Sequence, residues 1–144
     1  MHVQPYLYFE GRTEEALQFY QHTIGATIEV MMRMKDAPPD AQAAGQNSHG
    51  EIDNSEKILH AQFRVGDTVV MASDGMCSGS SDFKGFALAL TVAHDAEAKQ
   101  KFDQLAAGGK VQLPLATTFF ASSFGMLQDR FGVVWVVIAP LHME

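Results

Sequence analysis

The sequence predicts an α+β fold built from two tandem strand-helix-strand-strand-strand modules. Three observations carry this. Apolar periods follow that order twice within the 144 residues. The word Gly25-Ala26-Thr27-Ile28-Glu29-Val30 falls on Gly108-Gly109-Lys110-Val111-Gln112-Leu113, 83 residues later, and the same offset puts Phe19 on Phe102. At the closing hairpins Val65-Gly66 falls on Phe131-Gly132 at an offset of 66, so the first copy carries 17 extra residues. Those extra residues belong to a long loop over 35–57, an insertion that leaves the packed scaffold undisturbed. Residues 1–144 are expected to form a single domain, with module one over about 3–75 and module two over about 83–139.

Each element has a local reason. Residues 3–9 alternate Tyr, Leu and Phe around Pro5, which marks a strand with its proline near the start or at an edge. Thr13 is expected to cap a helix with Glu14 and Glu15 in its first turn, an apolar stripe at Ala16, Leu17, Tyr20 and Ile24, and a stop at Gly25. Residues 26–34 read as a second strand, on which Glu29 and Arg33, four apart, are expected to share a face and form a solvated pair. The stretch 35–57 holds Pro38-Pro39 and no apolar period, hence the loop. Two strands over 58–65 and 68–73 meet at Gly66-Asp67 as a hairpin. In module two, 86–92 is a strand, Asp95 opens a helix with Ala98, Phe102 and Leu105 on one face, and 110–115, 122–128 and 133–138 are three further strands.

Composition narrows the function. Hydrophobic residues at 47% and charged residues at 19% are an ordinary globular mix, so the chain folds. A net charge of −7 repels phosphate backbones and anionic membranes, so nucleic acid and membrane are not expected partners. No apolar run reaches the roughly 20 residues of a membrane helix, and the first residues carry no signal-peptide core, which points to the cytoplasm. The lone Cys77 excludes an internal disulfide and a multi-cysteine zinc site, and no His or Asn is arranged to activate it.

Paired modules of this order resemble the vicinal oxygen chelate superfamily, which includes glyoxalase I, extradiol dioxygenases, and fosfomycin and bleomycin resistance proteins. Particular words go further: Pro5-Tyr6-Leu7-Tyr8-Phe9-Glu10-Gly11, Glu15-Ala16-Leu17-Gln18-Phe19-Tyr20, Leu59-His60-Ala61, Val65-Gly66-Asp67, Met71-Ala72-Ser73-Asp74 and Asp129-Arg130-Phe131-Gly132-Val133-Val134-Trp135. Together they are similar to the PhnB-like branch, often described as demethylubiquinone methyltransferase-like. The resemblance implies a curled eight-stranded mixed sheet around a central cavity, helices on its convex face, and a homodimer.

In the superfamily's metalloenzymes the ligands come from the first and last strands of each module. The matching positions here are Pro5, Val70 or Met71, Ala87 or Leu88, and Val136, none of which supplies an imidazole or carboxylate. Glyoxalase and dioxygenase chemistry is therefore not expected. Nor is methyl transfer, because no doubly wound unit with a glycine-rich turn is present. No metal and no cofactor are expected.

His60 is the one candidate for acid–base work, being an imidazole in a strand of module one; a hydrogen-bonded structural role is its alternative. By period two it shares a face with Ile58, Gln62 and Arg64, while Leu59, Ala61, Phe63 and Val65 form the other. The second face suits the helices and the first a cavity. Ser73 and Asp74 end a strand where they could reach the cavity mouth, or else cap a turn before Gly75. Phe124 and Trp135 offer aromatic wall or core. His49, Glu51 and Asp53 sit on the long loop, and the remaining histidines are scattered without metal-ligand spacing. Two functions are compatible with these residues: a metal-free module binding a small organic molecule through His60, Gln62, Ser73, Asp74, Phe124 and Trp135, or a metal-independent enzyme on a small metabolite with His60 as acid or base.

Overall fold

The structure, a computed structural model, describes residues 1–37 and 54–141. Most of the expected 35–57 loop, including His49, Glu51 and Asp53, lies outside the described residues, as does the tail from His142. Among the described residues eight strands divide into two four-stranded mixed sheets, one in each of two compact units, Met1–Ser81 and Asp82–Glu144.

In the first unit β1 (Tyr6–Tyr8), α1 (Thr13–Ile24), β2 (Thr27–Arg33), β3 (Ile58–Val65) and β4 (Thr68–Ser73) succeed one another in sequence, and the sheet order is β1-β4-β3-β2. β1 runs parallel to β4 and the other pairs are antiparallel. β1 is shorter than the expected 3–9 because Pro5 has no N–H to add to a ladder, although its carbonyl still accepts from Met71 N–H at 3.0 Å. Ala16, Leu17 and Tyr20 on one stripe of α1 are fully buried, and the Tyr20 ring stacks on Phe63 of β3 at 5.6 Å. Ala61 and Phe63 thus point toward the helix, as period two requires. Gly25 ends α1 at φ 68°, a left-handed conformation that favours glycine.

Three local expectations change. Thr13 is the first helical residue and does not cap α1; its N–H, with that of Gly11, is met by the Asp74 carboxylate from across the sheet. Glu29 and Arg33 do not pair, because a register shift between Ile28 and Val30 puts Glu29 into β2 as an extra residue and breaks its alternation, while a second shift, between Met32 and Arg33, puts one into β3. Arg33 instead reaches Glu14 of α1 at 2.6 Å, and Glu29 accepts from Arg64 at 3.0 Å. The second shift also places Ile58, expected beside His60, in the buried core at the start of β3.

The second unit repeats the pattern with β5 (Leu88–Thr91), α2 (Asp95–Ala106), β6 (Lys110–Ala116), β7 (Ala121–Gln128) and β8 (Val134–Pro140), in the sheet order β5-β8-β7-β6. Ala98, Phe102 and Leu105 of α2 are buried against the sheet. The close approach is made possible by Gly125, where a Cβ would lie 2.8 Å from the Phe102 ring and 2.9 Å from Leu115 Cα.

Candidate functional site

The face of the first sheet turned away from α1 gathers the groups with chemistry. β1, β4, β3 and β2 put Tyr6, Met71, Gln62 and Val30 in one cross-strand row, and Tyr8 opposite Ser73 and Met32 opposite His60 in the next. Tyr6, Tyr8 and Met32 are 37, 53 and 43% exposed, a large share for such side chains within a sheet. The Tyr6 ring lies 5.2 Å from that of Tyr8 and 5.6 Å from the imidazole of His60.

His60 is held by this face and not by the backbone. The Tyr6 hydroxyl is 2.9 Å from Nδ1 and the Gln62 amide nitrogen 3.2 Å from Nε2, so both ring nitrogens are engaged by side chains. A neutral imidazole has one donor and one acceptor nitrogen, so the triad carries two proton arrangements, exchanged when the tautomer and the Gln62 amide turn together. Burial, then the neighbouring Tyr8, push the Tyr6 phenol up, with the Ser73 hydroxyl opposing them. Tyr6 is therefore protonated at neutral pH and available as a donor.

The other sequence candidates take different places. Ser73 is buried; its hydroxyl accepts from Gly75 N–H at 2.9 Å and donates to the Ile58 carbonyl at 3.4 Å. Asp74 is 1% exposed, and its carboxylate accepts from the N–H groups of Gly11, Thr13 and Ile58 at 3.1, 2.8 and 2.7 Å. It ties the start of α1 to the start of β3. In the second unit Phe124 and Trp135 lie on opposite faces of the sheet, since Phe124 is in register with Ile138 and Trp135 with Leu127. Trp135 is buried and donates from Nε1 to Asp129 at 2.9 Å, while Phe124 packs 5.0 Å from the half-exposed Phe120. Cys77 stays a thiol, pushed up by its burial and then by Asp74.

The sequence points to His60 and Gln62 but not to Tyr6 and Tyr8. The signal for the two tyrosines is their alternation with Leu7 and Phe9, which are buried at 2% each. A groove of about 540 Å3 lies on the helix side among Arg12, Glu14, Arg33, Glu56 and Lys57. Its cations are engaged: Arg33 by Glu14 at 2.6 Å, Arg12 by Glu15 at 2.7 Å, and Lys57 by the Gly11 carbonyl at 3.1 Å.

Comparison with known proteins fixes the lineage. The family model of 3-demethylubiquinone-9 3-methyltransferase matches residues 1–138. Protein YjdN of Escherichia coli K12 is 36% identical over 138 residues, covering 95% of this chain and 94% of YjdN. The crystal structure of protein PA1353 from Pseudomonas aeruginosa is 39% identical, covers 97% of this chain and 98% of its own, and superposes with a TM-score of 0.81. A PhnB protein from Bacillus cereus shares the fold at 24% identity and a TM-score of 0.74, covering 96% of this chain and 99% of its own. The chain belongs to the PhnB-like family.

The resemblance read from the sequence implies a metal on the outer strands of each module, and the residues of this chain do not fit one. In the first unit the matching positions hold Pro5, whose carbonyl accepts from Met71 N–H at 3.0 Å, with Val70 or Met71, and in the second Ala87 or Leu88 with Val136, which is in register with Ala89. A proline ring, a thioether and aliphatic carbons do not make a coordination set for a divalent cation. Among the described residues no three His, Cys, Asp or Glu side chains converge. Nor, among those residues, is any helix long and apolar enough to cross a membrane.

Proposed function

We propose that this PhnB-like chain is a metal-free small-molecule-binding module whose ligand lies against Tyr6, Tyr8, His60 and Gln62. One observation carries the reading: both nitrogens of His60 are taken up by Tyr6 and Gln62 on a partly exposed sheet face, which orders a recognition surface and leaves no ring nitrogen spare for proton abstraction. Asp74, expected from the sequence to reach the ligand, is left out of the site because its oxygens serve the backbone.

The 2.9 Å link between His60 and a hydroxyl also supports a second reading, in which the imidazole exchanges a proton with a bound metabolite through Tyr6. Two variants separate them. Replacing His60 by Ala is expected to cost under about 1 kcal/mol, because the partner groups are reached by water, and to abolish the rise in melting temperature that a metabolite library produces in the parent chain. A loss of about 2 kcal/mol or more with that rise intact would make His60 a structural residue and remove both readings. His60→Gln, which keeps hydrogen bonding without titrating, retains binding under either reading and eliminates turnover only under the second.

A further inference from the structure

We propose that the ligand of this face is an uncharged, flat ring whose edge carries both a hydrogen-bond donor and an acceptor; the inference rests on the binding reading above and specifies its ligand class. The flatness comes from the surface. Tyr6, Tyr8 and His60 form a continuous aromatic shelf with centroids 5.2 and 5.6 Å apart and planes inclined by 33 and 35°. A planar ring laid on it meets several π-faces or edges at once, which a puckered aliphatic ring of equal size cannot do. Met32 across from His60 and Met71 across from Tyr6 border the shelf with thioethers, which adapt to a ring edge and bind it favourably.

Neutrality comes from the charges that the described residues place around this shelf being already engaged. Gln62, Ser73, Met32 and Met71 are uncharged, Glu10 beside the Tyr8 ring accepts from Met76 N–H at 3.2 Å and Ser78 N–H at 3.4 Å, and Arg64, farther along β3, is paired with Glu29 at 3.0 Å. An ion placed here loses hydration and must compete with these contacts for a partner. The mixed edge comes from the polar groups. The Tyr6 hydroxyl and the Gln62 amide each spend one interaction on His60, and Gln62 keeps an acceptor oxygen beside its second N–H. A ligand edge with only donors or only acceptors leaves one of these unmet.

Four probes of nearly equal size test each element: benzamide is flat, neutral and mixed-edged; cyclohexanecarboxamide is puckered; benzoate is anionic; benzamidinium is cationic. Each is titrated into the full chain while the ring resonances of Tyr6, Tyr8 and His60 are tracked by NMR. Benzamide is expected to shift all three with a millimolar Kd, and the other three to bind about 5-fold more weakly or worse. Tyr8→Leu weakens benzamide by about 5-fold through lost stacking, and Tyr6→Phe, which keeps the ring, by about 3-fold. Equal binding of cyclohexanecarboxamide or of either ion at these resonances overturns the ligand class while leaving a small-molecule site in place. Failure of benzamide to move them overturns the class as well, and the binding reading is then decided by the separate His60→Ala melting series.

Discussion

Replacing Asp74 by Ala is expected to lower stability by about 3 to 5 kcal/mol, because two buried amides and one half-buried amide lose a charged acceptor together. Those amides belong to Gly11 and Thr13 at the entry to α1 and to Ile58 at the start of β3, with contacts of 2.7 to 3.1 Å. α1 has no side-chain cap of its own at Arg12, so no local group takes over. In a chain of this size the change corresponds to a fall in melting temperature of roughly 10 °C. Asp74→Asn keeps the shape but offers one of the three amides an NH2 group or a weaker acceptor, and should fall between. Hydrogen exchange locates the effect: Thr13 and Ile58 should lose protection first. A loss below about 1 kcal/mol for Asp74→Ala would show that water replaces the carboxylate and that it is free for other work.

Asp129→Ala is the counterpart in the second unit, with an expected cost of about 3 kcal/mol. Its carboxylate accepts from Phe131 N–H at 2.8 Å, Val133 N–H at 3.1 Å and the Trp135 indole at 2.9 Å, and the residue is 3% exposed. The turn into β8 and the register of β8 on β7 both depend on it. Because Trp135 is the one tryptophan in the chain, its fluorescence reports the lost indole contact directly, as a changed emission maximum in the folded variant. An unchanged spectrum with unchanged denaturation midpoint would contradict this role for the aspartate in the turn.

These two aspartates also show where a linear sequence stops being informative. Period and punctuation place α1 over Thr13–Ile24 and the hairpin strands over Ile58–Val65 and Thr68–Ser73, because apolar spacing and the Gly66 turn are local signals. The cross-strand register is not local. Asp74 lies 61 residues from Thr13, so the cap it provides is invisible until β1 is laid parallel to β4. The same pairing brings Tyr6 to His60, 54 residues apart, which is why the imidazole is legible as a candidate and its partner is not. The extra residue in β2 at Glu29 defeats the Glu29–Arg33 pairing, and the extra residue in β3 at Leu59 the placement of Ile58, since an inserted residue puts the stretches on its two sides out of step with one another. The Trp135 indole, readable equally as wall or core, is drawn into the core by Asp129.

Whether the small molecule sits on the α1-distal face of the first sheet is decided by a crystal structure of the chain with the compound that most raises its melting temperature. Density is expected against Tyr6, Tyr8, His60 and Gln62, within hydrogen-bond reach of the Tyr6 hydroxyl or the Gln62 amide. Density instead in the charged groove beside Arg33, Glu56 and Lys57, with the Tyr6–His60–Gln62 triad untouched, would contradict the proposed site.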